Sequence, residues 1–362
     1  MFLDIHAIQS VPPSNLNRDD NGSPKSAFYG GVPRHRVSSQ AWKKSIRDYY
    51  NDHFAGNNRG YRTKNVVPLL ADRIQQLDPV TYSNYDDAVE KATEVFINLK
   101  IITKAKKDGD YATADALYLV SNKQLDAYAE LAVSDGDIKA LKAASKIDNS
   151  LDLALFGRMV ASATDLNIEG ASQFAHAIST HAIEPEFDYF VAADDASNGD
   201  HAGAAMIGEI EFTSSTLYRF ATVNVDALRG QFGNGDKEAV VSALRDFIES
   251  FVKALPSGKQ SSFAVKTVPE FLMVSIRDDQ PLSLVKAFES PVRAGEAGYS
   301  GRSVDSLLKF YQRVVSVYGD GNAANFGYDL DDNPKLREIA AVGDLEFVKN
   351  EAARVSSERL GD

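Results

Sequence analysis

Gln40, Lys43 and Arg47 fall at i, i+3 and i+7, so a helix would carry all three on one face. Arg18, Lys25, Ser38 and Ser39 lead up to them. Guanidinium and ammonium groups supply charge for phosphate, while hydroxyl and amide groups add directional hydrogen bonds. The set therefore predicts a grip on a sugar–phosphate chain rather than bond-breaking chemistry. Between Arg18 and Arg47 lie seven Lys or Arg against two Asp, net +5, in a chain of 362 residues with a formal net charge of −12. A cationic block on an acidic chain marks a local anion site, because the bulk charge repels a polyanion. The plainer reading is a solvated basic loop and helix face. Ser38 and Ser39 stand where the helix N-terminus offers free N–H groups to an anion, or they simply cap the helix. Gly30-Gly31 permits a close approach of backbone to a ligand.

Other chemistries find little support. The chain has no cysteine, which excludes disulfides, a thiolate nucleophile and a cysteine-based zinc site. His176 and His181 are five apart, a poor spacing for one metal on one helix, and each reads as a hydrogen-bonded structural residue. Asp19-Asp20, Asp194-Asp195 and Asp278-Asp279 offer a runner-up reading, a metal-dependent endoribonuclease using Mg²⁺, but they sit in separate loops without a third ligand. Gly230, Gly233 and Gly235 do not follow a strand, so there is no dinucleotide fingerprint, and Gly258-Lys259 lacks the rest of a phosphate loop. No cofactor or metal is expected. No apolar run has membrane-spanning length, and Met1–Ile8 lacks a positive leader and reads as a strand. These features predict a cytoplasmic protein without membrane association. A third reading is a generic acidic interaction protein with no RNA affinity.

The elements that must position the basic residues follow from periodicity. Residues 2–9 alternate apolar and polar and predict a strand, and 10–37 reads as a loop. Ser39 is a good N-cap for a helix to about Tyr50, with Trp42, Ile46 and Tyr49 on its buried face. Helices are expected near 67–77, 85–107, 110–131 and 137–147, then strand, loop and helix across 151–182. Phe187–Val191 is a short strand, and 196–203 is a linker rich in small residues. Two strands, Ala205–Phe212 and Thr216–Val225, are joined by a Thr213-Ser214-Ser215 turn. An amphipathic helix carries Val241, Leu244, Ile248, Phe251 and Leu255, and Phe271–Ile276 is a buried strand. Two helical stretches after about 303 surround an Asn/Asp/Gly-rich loop at 319–334. With the helical insert removed, the order is strand–helix–strand–strand–helix–strand, an α+β split βαβ or ferredoxin-like sheet. RNA-recognition (RRM) domains share that order, but Thr216–Ala221 does not match their base-stacking strand, so backbone gripping is expected instead.

Ser14–Asp20, Phe28–Gly31 and Arg34–Gln40 together resemble the N-terminal signature of the CasC backbone subunits of type I-E CRISPR surveillance complexes (Cascade). Leu155–Met159, Ala175–His181 and Glu211–Ser215 leading to Tyr218-Arg219 agree in order and spacing. The resemblance implies a hand-shaped protein: a ferredoxin-like (RRM-like) palm, a helical fingers insertion and a β-hairpin thumb. The corresponding boundaries are palm 1–58, fingers 59–181, a palm strand 182–193, thumb 194–220 and palm 221–362. It implies several copies stacked head to tail along a CRISPR RNA. Other Cascade subunits and target DNA are the further partners, the role is antiviral defence, and no catalytic residues are carried over.

Carried onto this chain, the family pattern makes Arg18, Lys25, Ser38, Ser39, Gln40, Lys43 and Arg47 guide-backbone contacts. Met159 becomes a wedge beside a kinked nucleotide, with core packing as its alternative, and Arg158 a phosphate contact or a structural ion pair. Phe212, Thr213, Ser214 and Tyr218 become thumb contacts to RNA or a neighbouring copy, or else part of an ordinary hairpin. Lys104, Lys106, Lys107, Lys139, Lys142 and Lys146 form a target-DNA track or a solvated helix face, with Lys100 beside them.

Overall fold

The computed structural model describes residues 1–103, 107–108, 111–192, 206–232 and 236–361. The chain forms two compact units. The first comprises Met1–Ile46, Phe174–Thr222 and Ile248–Val355; the second comprises Arg47–Gln173, Val223–Phe247 and the residues from Ser356 onward. The architecture is α+β, a mixed sheet with many inserted helices.

The first unit is built on a sheet whose order is Ala341–Val342, Ala324–Asp329, Phe271–Arg277, Phe2–Ser14, Met206–Asn224, Ala177–Ser179, Val32–Val37 and Ser26–Tyr29. Phe2–Ile8 runs antiparallel to Phe271–Arg277, from Phe2 opposite Arg277 to Ile8 opposite Phe271. All seven residues of Phe271–Arg277 are buried, as a strand covered on both faces requires. The two faces have separate cores. Val11, Leu16, Val37, Trp42, Ala177 and Leu217 pack on one side, and Ile8, Tyr218, Phe271, Met273, Leu307 and Leu308 on the other. Leu217 and Tyr218 are adjacent yet enter opposite cores, the period-two signature of a strand.

The first helix spans Ser39–His53 and buries Trp42 and Ile46. Its cap is Ser38, one residue before the expected Ser39: Ser38 Oγ accepts from Ala41 N at 3.3 Å, and its carbonyl accepts from Trp42 N. The expected loop at 10–37 instead contains the rest of the first strand and the hairpin Ser26–Tyr29 with Val32–Val37. Pro12, Pro13 and Gly30-Gly31 had concealed these strands.

The Thr213-Ser214-Ser215 turn does not exist. One strand runs through it from Met206 to Asn224. Hydroxyl residues are turn formers in isolation. Here Ser215 Oγ is hydrogen-bonded to His35 Nδ1 at 2.7 Å, and Thr216 N donates to His181 Nε2 at 3.1 Å. The N-terminal half of this strand pairs with Glu186–Ala192, from Glu186 opposite Phe212 to Ala192 opposite Met206. The small-residue linker at 196–203 lies outside the described residues.

The second unit packs the helices Val66–Leu77, Tyr85–Asn98, Asn122–Val133 and Ile138–Ala144 around Leu70, Ile74, Val95, Phe96, Leu125 and Tyr128. Two helices are shorter than expected. Tyr85–Asn98 stops well before 107, and Tyr118–Ser121 is a strand paired with Gly60–Thr63. Ser121 then caps Asn122–Val133 in a reciprocal box with Gln124. Leu151–Phe156 is a helix where a strand was expected. It ends at Gly157, whose φ is +72°, and a Cβ there would lie 2.6 Å from Gly170 N and Ile168 O. The helix expected near the end of 151–182 is replaced by Ser172–Phe174 and Ala177–Ser179, both strands. Ala324–Asp329 is likewise a strand inside the expected loop at 319–334.

Candidate nucleic-acid interface

In the first unit, local polar contacts fold the loop before the helix. Asp19 Oδ1 accepts from Asn21 N at 2.9 Å and Ser23 N at 3.0 Å, an Asp-centred turn, and Arg18 bridges Pro24. Buried Asn15 donates from Nδ2 to Gly22 O and Glu211 O. Asn17 joins the pieces: its carbonyl accepts from Lys25 N at 2.8 Å, and its Oδ1 accepts from Ser38 N at 2.9 Å. One residue, through its backbone carbonyl and its side chain, thereby ties the basic loop to the start of the helix. Arg18 and Gln40 are exposed, and Lys25, Ser39 and Lys43 are half-buried. Lys43 lays its stem along the Phe174 ring, with Nζ 5.5 Å from the centroid, and burial lowers its pKa. Ser38 is buried, and its hydroxyl is committed to the cap.

Several expected contacts are corrected by burial. Arg47 directs Nε at Asp152 Oδ2, 3.6 Å away, and the Asp152 side chain is fully buried. Its charge is balanced inside the second unit, so it is not the free cation a phosphate grip needs. Arg158 is buried, donating to Leu119 O, Ser145 O and Leu166 O and lying over the Tyr118 ring. Carbonyls, rather than a phosphate or the expected carboxylate, satisfy it. Tyr218 is buried: its hydroxyl is hydrogen-bonded to His6 Nδ1 at 2.9 Å and accepts from Leu284 N at 3.0 Å. Burial raises its pKa strongly, and it has no surface to offer RNA. Thr213 is buried too, whereas Ser214 is exposed and Phe212 half-buried near the Phe263 ring.

Met159 is the opposite case. Arg158 and Ile168 exchange backbone hydrogen bonds at 2.9 Å, and Asn167 Oδ1 accepts from Val160 N at 2.6 Å. These ties pin both neighbours and leave the Met159 side chain 81 % exposed, which removes core packing as its explanation.

Of the lysine track, Lys139 and Lys146 are exposed on or beside Ile138–Ala144. Lys142 pairs with Asp165 at 2.6 Å, so its charge is offset. Lys104 and Lys106 lie outside the described residues, and Lys107 is described only as part of the strand Lys107–Asp108.

Sequence reasoning gave no role to Arg34 or Arg219, both buried. Arg34 donates to Tyr29 O, Ser179 O and Phe288 O. Arg219 lies between the Trp42 and Phe251 rings, and burial lowers its pKa to about 9. His35 and His181 sit within the fold: burial and neighbouring His181 lower the His35 pKa to about 4, and His181 stacks on Tyr299 at 3.7 Å. Asp19 is spent on its turn, and Asp279 pairs with Arg277 at 2.8 Å; Asp194 and Asp195 lie outside the described residues. Among the described residues, no group of three or more His, Cys, Asp or Glu is placed to hold a metal, and no helix is long and apolar enough to cross a membrane.

A family model described as CT1975-like protein matches residues 3–348. No curated protein matches the chain. Two solved structures resemble it over nearly their full length. One is from a "CRISPR RNA-guided surveillance complex, pre-nicking", with 28 % identity, 98 % of this chain and 100 % of that chain covered, and a TM-score of 0.85. The other is from a "CRISPR RNA-guided surveillance complex", with 27 % identity, the same coverage and a TM-score of 0.64.

Proposed function

This chain belongs to the CT1975-like protein family, and we propose from that premise that it is a non-catalytic, CRISPR RNA-binding backbone subunit of a Cascade-type surveillance complex. Copies assemble along the guide, hold its sugar–phosphate backbone and present its bases to target DNA in antiviral defence. The observation that carries this reading is the end-to-end match to a chain of an RNA-guided surveillance complex at a TM-score of 0.85. The finer assignment is a type I-E, CasC-type subunit working in the cytoplasm with other Cascade subunits. Support for its ferredoxin-like palm comes from the adjacent strands Phe271–Arg277, Phe2–Ser14, Met206–Asn224 and Ala177–Ser179, which stand in the order 4-1-3-2 of a split βαβ sheet. The thumb reading is supported by the pairing of Glu186–Ala192 with Met206–Phe212, and the fingers reading by the helices between Val66 and Ala144.

Within this reading, Arg18, Lys25, Gln40 and Lys43 grip phosphate and sugar, and Ser39 adds a hydroxyl beside the helix N-terminus. Met159 wedges beside an unstacked nucleotide, and Ser214 and Phe212 meet RNA or a neighbouring copy. Lys139 and Lys146 face target DNA. Head-to-tail assembly is a heterologous contact, so the chain is a monomer alone and a filament on RNA.

The test is to purify the chain after co-expression with a CRISPR array. The expected result is RNA of defined length in the product, uncut on incubation with Mg²⁺. Recovery of an RNA-free, two-fold dimer, or Mg²⁺-dependent cleavage lost on changing Asp19, would overturn the proposal.

A further inference from the structure

Three neighbouring strands at one end of the first unit's sheet are Ser26–Tyr29, Val32–Val37 and Ala177–Ser179. Ser26 pairs with His35, and one step beyond that pair Arg36 N donates to Lys25 O at 2.8 Å. Two cations therefore face each other across the ladder. Like charges in that position weaken a strand pair, so an anion between them would relieve the repulsion. Arg36 also pairs with Ile178, and His176 stands two residues before Ile178, just outside the strand Ala177–Ser179.

The contacts hold the guanidinium in a definite orientation. Arg36 Nε donates to Ser26 O at 3.2 Å, and Nη1 meets His176 Nδ1 at 3.0 Å. An arginine has no acceptor, so Nδ1 must accept and the imidazole is neutral, with its proton on Nε2. His176 is exposed and Arg36 half-buried, so the cluster is open on one side. The charged groups acting on His176 are Arg36 and Lys25, both positive.

We propose that Lys25, Arg36 and His176 form a phosphate-binding cluster for single-stranded RNA, in which Arg36 is the direct contact and His176 positions its guanidinium. The proposal rests on the RNA-binding reading and adds to it two residues, Arg36 and His176, that the helix-centred set omits. The Nη2 edge of Arg36 is the part left to the ligand, and the fork geometry suits a phosphate. Partial burial and the two cations hold the His176 pKa below its ordinary value. Protonation would put a proton on Nδ1, turn this acceptor into a donor and release the guanidinium. Binding therefore favours the neutral imidazole, and affinity falls as pH drops through the imidazole range. Arg36 and Lys25 do not titrate there.

The experiment is fluorescence anisotropy of oligouridylate, whose bases and phosphodiesters do not titrate in that range, across a salt series at neutral and mildly acidic pH. Arg36→Gln should weaken binding and make the log–log salt slope shallower by about 0.7, the loss of one single-strand phosphate contact. His176→Gln should abolish the loss of affinity on acidification. A wild-type slope in Arg36→Gln, or an undiminished loss of affinity on acidification in His176→Gln, overturns the cluster. Because His176 is exposed, its variant remains informative should Arg36→Gln disturb the hairpin. Absence of salt-dependent binding in the wild-type chain sinks the RNA reading and this proposal together. Wild-type binding with both variants unchanged sinks this proposal alone.

Discussion

Arg47 Nε stands 3.6 Å from Asp152 Oδ2, and the carboxylate it faces is wholly shielded from solvent. Burial raises the Asp152 pKa, while Ser150 and Arg47 pull it down. Removing one member of such a pair leaves an uncompensated interior charge. Arg47→Ala should therefore cost about 3 kcal/mol in unfolding free energy. Arg47→Ala with Asp152→Asn should recover much of that loss. Urea titration of the single and double variants measures both, and additive losses would refute the pairing.

Arg18 is exposed and Lys43 half-buried in the loop and helix of the proposed grip. A grip on about five phosphates of a single strand predicts a log–log salt slope of about −3.5. Lys43→Ala should make that slope shallower by about 0.7 and weaken all guide sequences alike. A loss confined to particular sequences would show base readout and contradict the proposed grip.

Met159 separates stability from function. Its side chain is 81 % exposed, so Met159→Ala should change unfolding free energy by less than about 0.5 kcal/mol. The proposed wedge should nevertheless vanish, reducing the fluorescence of a 2-aminopurine at the kinked position of bound RNA. Unaltered fluorescence would leave Met159 without a role at the kink.

Tyr218 makes the reverse prediction. Tyr218→Phe removes the hydroxyl shared by His6 Nδ1 and Leu284 N and should cost about 1–2 kcal/mol. RNA affinity of the folded protein should stay at the wild-type level. Weaker binding at unchanged stability would restore Tyr218 as a contact.

His6, His35 and Asp4 are among the buried groups that shape the acid response. Burial lowers His6 to about 3 and, with His181, lowers His35 to about 4, so the unfolded chain binds their protons more tightly. Stability present above the ordinary histidine range is lost as pH falls from about 6.5 toward those values. Asp4 acts oppositely: burial raises its pKa to about 6, so its protonation favours the folded state as pH falls below that value. Taken by themselves, His6 and His35 outweigh Asp4 by about 1.4 kcal/mol per pH unit between about 6 and 4, and the loss should be steeper in Asp4→Asn than in the wild type. Urea midpoints across that window test the sign, and a flat profile would contradict it.

Some features were legible because they depend on near neighbours. The Trp42 and Ile46 face of the first helix, the apolar run at Phe271–Ile276 and the helices of the second unit are periodic patterns read within a few residues. The Gln40 and Lys43 face and the Arg18 loop were likewise visible as a run of charge and amide. The hairpin at Ser26–Val37 and the long strand through Thr213–Ser215 were not, because glycine and hydroxyl residues carry turn signals that distant pairing overrode.

The order of residues by itself determined that this chain concentrates positive charge near its first helix. Only the tertiary structure decided which cations remain available. Arg34 is consumed by carbonyls at Ser179 and Phe288, Arg158 by carbonyls at Leu119, Ser145 and Leu166, and Arg219 by Gln9 and two aromatic rings. A guanidinium carries the same charge in every sequence window. Whether it faces phosphate or a buried carbonyl depends on residues that folding brings beside it from far along the chain, and no local pattern encodes that.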